Sequence, residues 1–138
     1  MTVMATRPAV ALHKDPLVQD LATTALHDLT DRCPRVRYAT VLTEDGFEVD
    51  GVPAYEDDRL SSMSSSMQAL SEAVARELAL GTARCLIVAA DAGHIIQLRI
   101  PGQQLVLAAV FELDEPLAAA LGSCRFAAER FAAALASR

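Results

Sequence analysis

The sequence has no tryptophan, few other aromatic residues and few basic residues, and these shortages exclude several kinds of protein. Its 12 lysines and arginines are outnumbered by 18 acidic residues, so the formal net charge is −6. Nucleic-acid binding, which uses a basic surface, is therefore not expected. No apolar run approaches the roughly 18 residues of a membrane helix, and the apolar run at 9–12 is too short for a signal-peptide core. We expect a soluble cytoplasmic protein without membrane insertion.

Motifs that hold phosphates, metals or reactive groups are also missing. The sequence contains neither G-x-x-x-x-G-K-[ST] nor G-x-G-x-x-G, so it lacks a backbone cradle for nucleotide phosphates. Cys33, Cys85 and Cys124 show no zinc-site spacing and are predicted to be free buried thiols. Cys85 and His94 are the least remote nucleophile and base, but a buried strand position and a turn-adjacent surface explain them better. We predict no catalytic residue, no metal and no cofactor, and hence a protein that is not an enzyme.

The most strongly patterned segment is 60–80, which predicts a long amphipathic helix. Its large apolar residues recur at steps of three and four and form what we call the apolar stripe: Leu60, Met63, Met67, Leu70, Val74 and Leu78. Beside the stripe lies the small-residue row, which would let another helix approach closely: Ser62, Ser66, Ala69 and Ala73. The remaining polar face is expected to be exposed to solvent: Ser65, Gln68, Glu72 and Arg76. This pattern predicts that the apolar stripe is buried and the polar face is wet.

A fully apolar strand is predicted directly after this helix. Gly81 is expected to end the helix as its C′ glycine. Segment 85–90 shows no polar alternation, which is typical of a strand covered on both faces. In a chain of only 138 residues, a partner subunit could supply part of that cover.

Capping and turn signals predict the rest of the chain. Asp15-Pro16 starts a helix and Cys33-Pro34 stops it, while the turn at 44–46 joins two antiparallel strands. Three strands joined by short turns should form an antiparallel meander, and the last of them, apolar throughout, should be central in the sheet. The predicted elements are a helix at 15–33, strands at 36–43 and 47–50, the helix at 60–80, strands at 85–90, 94–100 and 105–111, and a helix from 116 onward.

The order helix-strand-strand-helix-strand-strand-strand-helix predicts an α+β fold: one five-stranded antiparallel sheet with helices on both faces. We expect a flexible N-terminal tail at 1–14 and a single domain at 15–138. Phe126 falls on the face of the last helix opposite its apolar residues. It either packs against the first helix or is exposed to a partner, and the neighbouring Arg125 and Arg130 could join such a contact.

This element order resembles the Roadblock/dynein light chain family, and in particular its bacterial gliding-regulator-like branch. The segments that carry the resemblance are 41–49, the helix at 60–80, and the strands at 85–88 and 93–98. The resemblance implies a homodimer in which the third strands pair edge to edge and the two central helices pack side by side. It also implies a non-enzymatic regulator or scaffold for a small Ras-like GTPase, in some members together with a sensor-kinase-like protein. A small-ligand sensor domain of similar α+β architecture is the alternative.

These arguments predict two sets of site residues. The dimer interface is expected to use the small-residue row and the third strand: Ser62, Ser66, Ala69, Ala73, Cys85 and Ile87. The GTPase is expected to contact the polar face on the outward side of the paired helices: Ser65, Gln68, Glu72 and Arg76. Phe126, Arg125 and Arg130 on the last helix are the next candidates for that contact.

Overall fold

The computed structural model describes residues 11–53 and 59–137. The order of its helices and strands is the predicted one, with boundaries that differ from prediction by a few residues at most. The elements are α1 (Pro16–Arg32), β1 (Val36–Thr43), β2 (Glu48–Val52), α2 (Arg59–Glu77), β3 (Cys85–Ala90), β4 (Gly93–Arg99), β5 (Leu105–Glu112) and α3 (Leu117–Ala136).

The five strands form one antiparallel sheet in the order β2-β1-β5-β4-β3. The predicted β1-β2 pair and the β3-β4-β5 meander are both confirmed. The fully apolar strand β5 is the middle strand, as predicted. Close backbone approach requires a glycine at the start of β4, because a Cβ on Gly93 would lie 2.5 Å from the carbonyl oxygen of Phe111.

Helices lie on both faces of the sheet, which confirms the predicted layers. Helices α1 and α3 pack against each other on one face and enclose the main apolar core. The largest buried side chains of that core are Leu26, Leu29, Ile96, Leu105, Leu107, Phe111 and Phe131. Helix α2 lies on the opposite face, where Ser64 and Gln68 contact Gln97 of β4.

Two local predictions about helix ends had different outcomes. Asp15 caps α1 as predicted, because its carboxylate accepts a 3.0 Å hydrogen bond from the backbone N–H of Leu17. The predicted role of Gly81 as the C′ residue of α2 is wrong. Ala79 holds the left-handed conformation there, with φ of 55°, and the N–H of Leu80 donates to the carbonyl of Ala75 at 2.7 Å. That bond closes a Schellman motif with alanine in place of the usual glycine.

The prediction that β3 is covered on both faces is wrong for the single chain. In the described part of the chain β3 pairs only with β4, so it is an edge strand. Its residues from Ile87 to Ala90 are exposed. The unbroken apolar sequence of β3 therefore lies at a surface.

Phe126 packs between the two helices of the main core layer, which is the first of its two predicted alternatives. The guanidinium of Arg32 in α1 lies 3.5 Å from the centroid of the Phe126 ring, and that of Arg130 lies 5.5 Å from it. Arg130 also forms a 3.4 Å ion pair with Asp28 of α1. These cation-π and ionic contacts join α1 to α3.

The last residues of the predicted tail contact the domain. Residues 12–14 form a short 3-10 helix, Leu12 packs against the core, and the ring of His13 stacks on that of Phe47 at 4.7 Å. Residues 1–10 lie outside the described residues. No helix within residues 11–53 and 59–137 combines the length and the hydropathy that a membrane span requires.

Candidate interaction surface

Helix α2 is amphipathic, but its orientation on the sheet is the reverse of the predicted one. The side chains that it buries are mostly polar: Ser61, Ser64, Gln68 and Ala75. Four of the six residues of its apolar stripe are exposed, with Leu70 67% exposed, Leu78 63% and Met63 52%, while Leu60 and Met67 are half-buried. A helix with an apolar face toward solvent and a polar face toward its own sheet indicates that something else covers the apolar face.

The buried side of α2 is held to β4 by a hydrogen-bonded cluster around Gln97, which is 1% exposed. The side-chain amide of Gln97 donates to the backbone carbonyl of Ser64 at 3.1 Å and to the side-chain oxygen of Gln68 at 3.0 Å. Its own side-chain oxygen accepts from the hydroxyl of Ser64 at 2.5 Å. Both donor hydrogens of the amide are therefore satisfied, and its oxygen has a partner.

The cluster continues from Gln68 to the turn between β1 and β2. Gln68 donates to Glu72 at 3.2 Å, and Glu72 accepts from Arg99 of β4 at 2.5 Å. Arg99 also pairs with Glu44 in the turn at 2.5 Å, and the hydroxyl of Ser65 donates to the backbone carbonyl of Glu44 at 3.2 Å. We call these seven residues the polar network: Glu44, Ser64, Ser65, Gln68, Glu72, Gln97 and Arg99.

The expectation that the polar face of α2 is turned to solvent is therefore wrong for most of its residues. Gln68 is buried, Ser65 and Glu72 are half-buried, and all three belong to the polar network. Only Arg76 of this set is exposed. Their predicted contact with a GTPase has not been tested, but the outward orientation that motivated it holds for Arg76 alone.

The residues predicted for the dimer interface lie at the surface of the single chain to different degrees. Ser62, Ser66 and Ala69 are exposed, whereas Ala73 is half-buried. On β3, Ile87 is 38% exposed. Cys85 is half-buried and packs against the main core. Most of this set is thus available for contact with another subunit, although its role there remains a prediction.

The two faces of β3 open onto different sides of the sheet. Cys85 and Ile87 lie opposite the core residues Leu98 and Ile96, so they point to the side of α1 and α3. Val88 lies opposite Ile95 and points to the side of α2, where it is 37% exposed. The outer edge of β3 thus combines apolar side chains with a row of backbone groups able to pair with another strand.

A groove of about 380 Å³ lies beside the N-terminal half of the apolar stripe. Leu60 and Met63 of α2 line one wall, and Ile95 and Val110 of the sheet also line the groove. The remaining lining residues are Arg37, Tyr38, Pro53 and Arg59. Because the groove continues into the exposed stripe, it fits an apolar helix better than an isolated small molecule.

The cysteines do not form a reactive site. Burial raises the pKa of Cys33 to about 11, with a further contribution from its hydrogen bond to Glu115. Burial also raises the pKa of Cys124 to about 12 and raises that of Cys85, which the nearby Arg125 partly offsets. All three thiols are thus protonated near neutral pH, whereas a nucleophilic cysteine must be a thiolate.

The fold does not bring together Cys85 and His94, the nucleophile and base that were least remote in the sequence. Cys85 lies opposite Leu98, while His94 lies opposite Ala89, four residues farther along β3. That separation corresponds to roughly 13 Å along the strand. Among residues 11–53 and 59–137, no three His, Cys, Asp or Glu side chains are grouped so that they could hold a metal ion.

The family model for the Roadblock/LC7 domain matches residues 23–111, which is more than half of the chain. The chain belongs to the Roadblock/LC7 family. A comparison with curated proteins found no match.

Several solved structures share the fold over 82% to 96% of this chain. The gliding protein MglB from Thermus thermophilus superposes with a TM-score of 0.77 at 18% identity, covering 96% of this chain and 100% of that one. MglB from Myxococcus xanthus gives 0.76 at 12% identity, with 93% and 96% covered. A Roadblock/LC7 domain from Streptomyces avermitilis gives 0.74 at 17% identity, with 82% and 96% covered.

The polar network was missed in the sequence, although two signals for it are present. Ser61, Ser64 and Gln68 recur at steps of three and four, which places them on one helical face as clearly as the apolar stripe. Gln97 interrupts an otherwise apolar run between Ile95 and Leu98. A buried glutamine in a strand requires polar partners, and this helical face is the one that supplies them.

Proposed function

We propose that this Roadblock/LC7 protein is a non-enzymatic, homodimeric regulator or scaffold for a small Ras-like GTPase. The observation that carries the proposal is the combination of an exposed apolar stripe on α2 with an unpaired apolar edge on β3. An exposed apolar patch of this kind is typical of a protein-protein interface.

A second copy of the chain is the occupant that best fits this surface. An exposed strand edge can pair antiparallel with the same edge of another copy, because a twofold axis presents the same residues on both sides. The same axis would bring the two α2 helices side by side, with Leu70 and Val74 of each in contact with the other subunit. Specific interfaces bury roughly 800 Å² per partner, an area within reach of a 19-residue helix and a six-residue strand together.

The apolar stripe is a better candidate for the buried dimer contact than the small-residue row, because its side chains carry far more apolar surface. The small-residue row would then lie on the outward side of the paired helices, with Arg76 near its end. We propose that Ser62, Ser66, Ala69 and Arg76 contact the GTPase. The GTPase itself is proposed from family membership, which the fold shared with the gliding protein MglB supports.

The same proposal makes the chain a partner of the nucleotide-binding protein rather than a nucleotide-binding protein itself. Its sequence has no phosphate-binding loop, and burial raises the pKa values of its thiols. Titration calorimetry of the isolated protein with GTP and GDP, with and without magnesium, should give no heat of binding. A micromolar dissociation constant for either nucleotide would contradict the regulator function.

Binding to a purified GTPase tests the partner directly. Small Ras-like GTPases that co-purify with the protein from its native cells would be expressed separately, loaded with GDP or a GTP analogue, and titrated with the dimer. We expect specific binding that depends on the nucleotide, and weaker binding by Arg76→Glu. Arg125→Glu, a charge reversal at another exposed position, is the control for location, because α3 carries the alternative predicted contact. Loss of binding by the control alone would move the contact to α3, and no binding to any such GTPase would contradict the proposal.

A further inference from the structure

We propose that the polar network fixes the position of α2 on the sheet, and that Gln97 is its central positioning residue. The inference rests on the proposed homodimer, because the position of α2 decides where the apolar stripe meets the second subunit. Gln97 lies in β4 beneath the buried side of α2, and its side chain does not reach the apolar stripe. It would act on the interface only through the helix that it holds.

The position of α2 needs such a device because apolar burial gives it little support. Of the four α2 residues that are buried, Ala75 is the only apolar one. The large apolar residues of the helix are exposed, except for the half-buried Leu60 and Met67. Apolar contacts are also non-directional, so they do not distinguish one register of a helix from the next. Hydrogen bonds depend on both distance and angle and can make that distinction.

The bonds of Gln97 are compatible with one placement of α2. Its amide donates simultaneously to the backbone carbonyl of Ser64 and to the side chain of Gln68, one helical turn apart. A shift of α2 by one residue would rotate its side chains by about 100° relative to Gln97. Met67 or Ala69 would then replace Gln68, and a buried amide would lose its partner.

The second half of the network constrains the same helix at a greater distance from Gln97. Arg99 joins Glu72 of α2 to Glu44 in the turn between β1 and β2. Gln97 therefore holds α2 at Ser64 and Gln68, and Arg99 holds it at Glu72, so the contacts extend over more than two turns of the helix. Single buried polar residues are known to specify the register of helices in this way, and here the helix is set against a sheet.

The test removes the hydrogen bonds while preserving the volume and the burial of the side chains. A variant with Ser64→Ala, Gln68→Met and Gln97→Met replaces all members of the buried cluster with apolar groups, so that none is left unsatisfied. Thr40→Val is the matched control. Thr40 is also fully buried in the sheet, but its hydroxyl bonds to Glu48 and Asp50 and not to α2.

We expect the triple variant to melt within a few degrees of the control but to dimerise less tightly, because its apolar stripe is no longer held in one register. Misplacement of a single leucine per subunit corresponds to about a tenfold or greater increase in the dimer dissociation constant. Sedimentation equilibrium measures that constant, and the control should keep the wild-type value. A folded triple variant with the wild-type constant would overturn the inference.

A single substitution covers the case in which the triple variant does not fold. Gln68→Met leaves Gln97 bonded to Ser64 but removes both side-chain bonds of Gln68, one to Gln97 and one to Glu72. An unchanged dissociation constant in this variant would likewise overturn the inference. If the wild-type protein were itself a monomer, both this inference and the proposed dimer would fail. A wild-type dimer with unaffected variants would overturn the positioning role alone.

Discussion

Leu70 lies at the centre of the exposed apolar stripe, and its replacement by aspartate should dissociate the proposed dimer. Leu70 is 67% exposed in the single chain. Burying a complete leucine side chain contributes about 1.5–3 kcal/mol, so two thirds of that from each subunit gives about 2–4 kcal/mol per dimer. At about 1.4 kcal/mol per factor of ten, the dimer dissociation constant should rise about 30- to 1000-fold. The unpaired carboxylate at the contact should raise it further.

Sedimentation equilibrium of Leu70→Asp over a range of protein concentrations provides the measurement, with urea unfolding as a check on the monomer. Because Leu70 is exposed in the single chain, the free energy of unfolding of the monomer should change by no more than about 0.5 kcal/mol. Leu113→Asp is the control, since Leu113 is 53% exposed in the turn between β5 and α3, away from the stripe. A Leu70→Asp dimer as tight as the wild type, or equal dissociation by the control, would refute the reasoning.

Two further predictions concern the fold and its thiols. Gly93→Ala should lower the free energy of unfolding by about 1–3 kcal/mol, because its Cβ would lie 2.5 Å from the backbone oxygen of Phe111. Gly122→Ala should instead raise it by about 1 kcal/mol, because Gly122 lies inside α3 and its added Cβ would meet no packed neighbour within 4 Å. Urea unfolding that shows the same sign for both variants would contradict this packing. Since burial raises the pKa of Cys33 to about 11 and that of Cys124 to about 12, both thiols should stay protonated and unreactive toward a thiol reagent at pH 8. Labelling of more than one thiol per native chain would show that at least one of them is accessible.

Much of the fold could be predicted from the sequence because its signals are local. The N-cap Asp15, the proline after it and the turn at 44–46 each act over a few residues, and the structure confirms their consequences. The apolar sequence of 105–111 likewise predicted the central strand, because both faces of β5 are covered within this chain. These predictions needed no knowledge of a partner.

The orientation of α2 could not be predicted in the same way. Periodicity identifies two faces of a helix, but the usual assumption that the apolar face meets the protein's own core does not hold for α2, whose apolar face is largely exposed. The sheet under α2 carries Gln97, which needs polar partners, so the polar face of the helix is the one that packs against it. The same limit applies to β3, whose apolar residues predicted a covered strand but lie at an edge of this chain.

The candidate partner residues changed for the same physical reason. The polarity of Gln68 and Glu72 predicts an outward surface position, yet their side chains bond to Gln97 and Arg99 inside the subunit. Polarity alone does not distinguish a solvated side chain from one that satisfies a buried polar group. Arg76 is the residue of that set for which the sequence and the structure agree on exposure.

The mass of the wild-type protein in solution tests the central claim most directly. If the apolar stripe and the β3 edge each pair with the same feature of a second copy across a twofold axis, the protein is a homodimer at micromolar concentration. Sedimentation equilibrium should then give twice the chain mass of 14.7 kDa, together with protection of the β3 amides from hydrogen exchange. A mass of one chain at that concentration, with rapidly exchanging amides along β3, would contradict the account.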